Sequence, residues 1–182
     1  MLSTMVLALS WTLAVSSSAL SAESRQAKRP TGGLGPLAFE RLEFLLGEWR
    51  GTHQWSGAIQ SDAGPVVATY ALTGNGSAII ENLGDGKAIW MTTVYYVEGE
   101  ELVANHYCTH NQPRLRASGL EGESLRFELT DISNLDTLDE GHVHRIELLS
   151  REAKRLSLVF HYLAGSDRSR WSLDLTRVSG DP

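Results

Sequence analysis

The sequence predicts an all-β protein: a single antiparallel meander β-barrel of about ten strands behind a short N-terminal helix. Three observations carry this. From Gly47 onward, short segments rich in Val, Ile, Thr, Tyr, Trp and Leu follow one another. Gly, Asn and Asp cluster between those segments, where tight turns need them. Only one stretch, Ala38 to Leu46, is spaced as a helix, with Phe39, Leu42, Leu45 and Leu46 on one face and Gly47 to end it.

The expected strands are 48–56, 65–73, 77–83, 88–97, 101–109, 113–119, 124–130, 141–150, 154–162 and 169–177. Thr73-Gly-Asn-Gly76 and Leu83-Gly-Asp-Gly-Lys87 hold residues that tolerate positive φ. Glu98-Gly-Glu-Glu101, Glu121-Gly-Glu123 and Ala164-Gly-Ser-Asp167 supply further Gly turns. Short connections favour antiparallel neighbours, and closing the meander removes its sheet edges. The longest gap, Asp131 to Gly141, is a candidate lid or pocket rim.

Residues 1–22 carry no charged side chain, and Met5 to Val15 is largely apolar. Ser and Ala follow, with cleavage expected near Ala19 or Ala22. This reads as a secretory signal peptide, its core short for a membrane span, although no Lys or Arg precedes it. Residues 23–36, polar and rich in Gly and Pro, read as a flexible leader, and 37–182 as the barrel domain. The expected location is therefore periplasmic or secreted, with no membrane span after cleavage. The chain has one cysteine, so no internal disulfide supports the core. Its formal net charge is -6 with no basic run, which argues against nucleic acid as a partner. The sequence does not fix an oligomeric state.

The densest chemistry lies between Leu102 and Arg114. On a regular strand, His106, Cys108 and His110 project to one face, continuing the row of Leu102 and Ala104. Downstream, His142 and His144 share a row with Ile146 and Leu148. Both histidine pairs thus begin near a barrel mouth and run into an apolar interior, as ligand sites do. The expected pocket is lined by His106, Arg114, His142 and His144, with Asn111, Gln112, Asn134 and Asp136 at its rim. Arg114 would clamp a carboxylate-bearing small molecule bidentately. Alternatives stay open. The four histidines could hold zinc, or be hydrogen-bonded polar groups in a barrel wall. Cys108 could be a nucleophile activated by His106 or His110, or a small buried hydrophobe. Trp49, Gly51, His53 and Trp55 form one row of the first strand, better suited to core packing than to ligand stacking. Tyr95 and Tyr96 lie on opposite faces, so one should point inward.

Leu45-Leu46-Gly47-Glu48-Trp49 resembles the opening of lipocalin-like, or calycin, barrels, including nitrobindin-type haem barrels. In many of these a basic residue on the last strand packs across the tryptophan. Arg177 is that candidate here, and the resemblance implies a structural plug of Trp49 and Arg177. His106-Tyr107-Cys108, Asn111-Gln112-Pro113-Arg114, Asn134-Leu135-Asp136 and Gly141-His142-Val143-His144 also resemble an uncharacterised family of small bacterial barrels. That resemblance implies a fold and a shared pocket, and brings no established activity.

The function expected is a secreted small-molecule-binding barrel with a His- and Arg-lined pocket. The alternative is a haem- or metal-binding barrel, or an enzyme using the same pocket; a purely structural module is a third reading. A catalytic triad, a paired carboxylate set and a Gly-rich phosphate loop are all missing from the sequence pattern. It names no cofactor.

Overall fold

A computed structural model describes residues 34–179 other than 109, 122, 123, 138 and 153, with side chains for all of these but 120, 121, 150–152 and 179. The expected signal peptide and most of the leader lie outside the described residues. Residues 34–36, expected in the leader, instead open helix α1 (Leu34–Leu42). Pro36 sits in its first turn, where a missing N–H costs nothing. A 3₁₀ turn, Glu43–Leu45, leads into the barrel.

The strands are β1 (Gly47–Gly57), β2 (Ala63–Thr73), β3 (Ala78–Gly84), β4 (Ile89–Glu98), β5 (Glu101–Tyr107), β6 (Gln112–Glu121), β7 (Ser124–Ser133), β8 (His142–Glu152), β9 (Arg155–Ala164) and β10 (Asp167–Ser179). Each pairs antiparallel with its sequence neighbours, and β10 pairs with β1 to close a ten-strand barrel. This is the meander that alternating hydrophobicity and Gly-rich turns predict. In the β2–β3 turn Gly74, Asn75 and Gly76 all take positive φ (57°, 56° and 82°), which explains that tripeptide. At Gly51 a Cβ would lie 1.9 Å from the Asp174 carbonyl oxygen, so only glycine lets β1 and β10 approach there.

The meander gives the barrel two unlike ends. The chain enters β1 from the helix, so odd-numbered strands run away from α1 and even-numbered strands return to it. At the helix end, Gly35 N–H donates to the Glu100 carbonyl in the β4–β5 turn at 2.8 Å. Ala38, Phe39, Leu42 and Leu45 are buried there, joining the interior cluster of the strands. Each large side chain so buried contributes about 1.5–3 kcal/mol. Trp49, fully buried, donates from Nε1 to the Leu45 carbonyl at 2.7 Å. The Arg177 guanidinium lies over its indole and donates to the Leu46 carbonyl at 2.6 Å and to that of Phe44. One end is therefore stoppered. The other carries the loops β1–β2, β3–β4, β5–β6, β7–β8 and β9–β10, and no helix among the described residues covers it.

Candidate functional site

A cavity of about 450 Å³ opens at the loop end. Its wall is rich in aromatic rings: Trp55 near the end of β1, Trp90 at the start of β4, Tyr162 near the end of β9 and Trp171 near the start of β10, with His53 below. Antiparallel order puts those positions at one end of the barrel. Trp55 and Trp171 are direct cross-strand partners with stacked rings 5.9 Å apart, and Tyr162 lies 4.6 Å from Trp55. Ile59, Met91, Cys108 and Gly141 complete the apolar part, while Gln60 and Asp62 are the polar residues of the β1–β2 loop. The Tyr162 hydroxyl donates to Met91 Sδ at 3.5 Å; burial, with Cys108 beside it, raises its pKa well above the usual phenol range.

Two polar side chains of this wall carry a buried atom without a hydrogen-bond partner, His53 Nδ1 and Trp171 Nε1. Trp171 is wholly buried and His53 is 9% exposed. An indole N–H can only donate, so Trp171 lacks an acceptor. Such a group costs about 1–3 kcal/mol when left unmade.

A second buried polar set lies deeper. Thr93 Oγ1 donates to Glu81 Oε1 at 2.8 Å, and Tyr95 donates to Oε2 at 3.0 Å. Tyr70 faces the same carboxyl, outside hydrogen-bond geometry. His106 Nδ1 lies 2.9 Å from Thr93 Oγ1. With the Thr93 proton on Glu81, Nδ1 is the donor and Nε2 is left as a buried, unpartnered acceptor. Burial lowers His106 to about 3, so the ring is neutral. Burial also raises Glu81, against the pull of its hydroxyl donors. The tyrosine that points inward is Tyr95, fully buried.

The expected pocket residues do not meet in one cavity. His106 is fully buried, and its ring contacts lead through Phe160, at 5.4 Å, and on to Trp171, at 5.5 Å, before the cavity is reached. Arg114 is on the outer face, over the Tyr96 ring, donating to the Tyr96 hydroxyl at 2.6 Å and paired with Glu98 at 2.6 Å. The row expected for His142 and His144 is corrected by a β-bulge. Val143 pairs with Tyr162 and Arg145 with His161, leaving His144 as the extra residue. Val143 is therefore buried in the interior cluster with Ile146 and Leu148. His144 packs 6.0 Å from the His161 ring instead, and burial first, then His161, lowers its pKa. His142 is buried at the loop end, where Nδ1–H donates to the Glu140 carbonyl at 2.9 Å.

The remaining four do lie together, as a clamp between two mouth loops. Asn111 donates to Glu140 Oε1 at 2.8 Å and to the Gly141 carbonyl at 3.1 Å, and Asn134 to Gln112 Oε1 at 2.6 Å. The Asp136 N–H donates to Glu140 Oε2 at 3.0 Å, and the Asp136 carboxylate lies 3.7 Å from His110. The Asp136 N–H, and then Asn111, hold the Glu140 carboxyl below its usual range. The clamp sets Gly141 into the cavity wall. Sequence reasoning assigned the His53 and Trp55 row to the core and overlooked Trp90, Tyr162 and Trp171. Their shared barrel end, readable from strand order, is the signal that would have joined them.

Among the described residues, no group of three or more His, Cys, Asp or Glu side chains is placed to hold a metal. A haem would need an imidazole nitrogen open to the cavity. His53 is the imidazole of the wall, flanked by Trp90 at 5.7 Å and Trp171 at 5.5 Å. Its Nε2 abuts Gly64, where even a methyl group would come within 3.3 Å. That residue set does not fit an axial haem ligand. No helix among the described residues is long and apolar enough to cross a membrane.

No protein-family model matches the chain, and neither does any curated protein. Among solved structures it is similar to a protein of unknown function from the DUF3598 family of Nostoc punctiforme, at 14% identity and a TM-score of 0.51. The match covers 75% of this chain and 49% of that one, so this chain spans about half the length of that relative. The likeness speaks for the fold alone, and agrees with the lipocalin-like reading at the level of barrel architecture.

Proposed function

We propose that this protein is an exported barrel that binds a small, largely apolar and flat molecule in the cavity at its loop end. The observation that carries this reading is the cavity of roughly 450 Å³ at the loop end, walled by the rings of Trp55, Trp90, Tyr162 and Trp171. Ligand pockets commonly span about 300–1,000 Å³, with apolar walls and a few polar groups that orient the guest. The buried Trp171 N–H would gain an acceptor only from a ligand that shifts the ring to expose it. The aromatic rings would supply contact area at small entropic cost, because their neighbours already hold them. Glu81 and His106 are absent from the cavity lining, and Tyr162, which lines it, keeps its proton because burial raises its pKa well above the usual phenol range.

Three of the five tryptophans line the cavity, so intrinsic fluorescence reports directly on occupancy. Titrating the purified protein with flat apolar compounds should quench or blue-shift its emission and raise its melting temperature. A panel that changes neither signal would overturn the reading. Export is tested separately, by locating the protein in fractions of its native host and reading the mass of its N-terminus.

A further inference from the structure

The charges around the cavity go further than its shape. Its lining contains no lysine or arginine, and Asp62 is its one carboxylate. The Trp55 backbone N–H donates to the Asp62 backbone carbonyl at 2.6 Å, which fixes this residue beside the Trp55 strand. Beyond the lining, the described residues of the mouth loops carry Asp85, Asp136, Asp139 and Glu140 against Lys87 alone. At the start of β10 Asp167 stands against Arg168 and Arg170, which reduces the negative balance of the mouth without reversing it. An approaching ligand therefore meets a negative field at the mouth and, inside it, the electron-rich faces of indole and phenol rings. Both attract a cation and neither suits an anion. Arg114, on which a carboxylate-bearing ligand would have depended, is outside the barrel and already paired with Glu98.

We propose that the cavity selects small organic cations: amines or quaternary ammonium groups carried on a flat apolar body, held by the aromatic wall and Asp62. This rests on the reading of the cavity as a small-molecule site and names its ligand class. A tertiary or quaternary ammonium sheds water more readily than a small metal ion, and ring faces can then replace its hydration shell.

The test uses three probes of nearly one shape: phenyltrimethylammonium, its uncharged carbon isostere tert-butylbenzene, and the anion 4-tert-butylbenzoate. Binding is read by tryptophan fluorescence. The cation should bind about ten-fold more tightly than the neutral isostere, and the anion most weakly. Asp62→Asn, at an exposed position, should reduce the preference for the cation over the isostere several-fold. Trp90→Leu should weaken the cation more than the isostere, because it keeps apolar area and removes the ring face. Equal binding of cation and isostere, or tightest binding of the anion, overturns the cation assignment while the small-molecule reading stands. Binding of none of the three overturns both.

Discussion

The guanidinium carbon of Arg177 lies 4.2 Å from the centroid of the Trp49 indole, and 5.2 Å from that of Phe44. The first and last strands are thereby joined to the helix at the closed end, through ring faces and through the Phe44 and Leu46 carbonyls. Trp49→Ala should cost about 3–5 kcal/mol, the range for a large buried aromatic. Arg177→Ala should cost less, about 1–3 kcal/mol, by stranding two carbonyls. Urea denaturation measures both, and a wild-type midpoint for Trp49→Ala would refute the stopper.

Trp171→Phe removes the unpartnered N–H and some ring area together. These oppose each other, so stability should change by less than about 1 kcal/mol, whereas Trp171→Ala should lose about 3–5 kcal/mol. Affinity for any ligand that accepts from Nε1 should fall about ten-fold in the Phe variant. Thermal melts and fluorescence titrations separate the two effects. Unchanged affinity would place the acceptor elsewhere.

Gly64→Ala tests the cavity from behind. The new methyl would come within 3.3 Å of His53 Nε2 and push the ring toward open space. Because the cavity can take up that shift, stability should change by under about 1 kcal/mol while ligand affinity drops. A variant that binds as well as wild type would show that His53 does not shape the site.

Glu81 and His106 impose opposite pH dependences. Burial raises Glu81 above the ordinary 4.5, so the folded chain keeps a proton that the unfolded chain has released. Its contribution turns unfavourable as pH rises above about 4.5. Burial lowers His106 from 6.5 to about 3, so the unfolded chain takes up a proton that the folded chain refuses. That contribution is whole above pH 6.5 and erodes as pH falls toward 3. Glu81→Gln should therefore steepen the rise of stability with pH above about 4.5, and His106→Gln should flatten it below about 6.5. Each change is bounded by about 1.4 kcal/mol per pH unit. Unfolding curves at a series of pH values read these slopes, and identical slopes in all three proteins would refute the buried assignments.

The all-β class, the strand order and the tight turns are set by the sequence itself. Alternation at period two separates inner from outer rows, and Gly-Asn-Gly or Gly-Asp-Gly reverses the chain whatever surrounds it. The inward rows Leu102, Ala104, His106 and Trp49, Gly51, His53, Trp55 are local in the same sense. The site is otherwise. One extra residue at His144 shifts the parity of β8, so Val143 replaces its neighbours in the core, and nothing in Gly-His-Val-His announces that bulge. Arg114 faces outward by plain alternation with the buried Leu115, and the register shift beside it falls on β7, where Thr130 is the extra residue. The cavity gathers side chains from β1, β4, β9 and β10, which are far apart in sequence and meet only when β10 closes on β1. Pairing that closure requires every strand to hold its register. The period of two therefore determines the wall, and the closed barrel alone decides which residues face the same space.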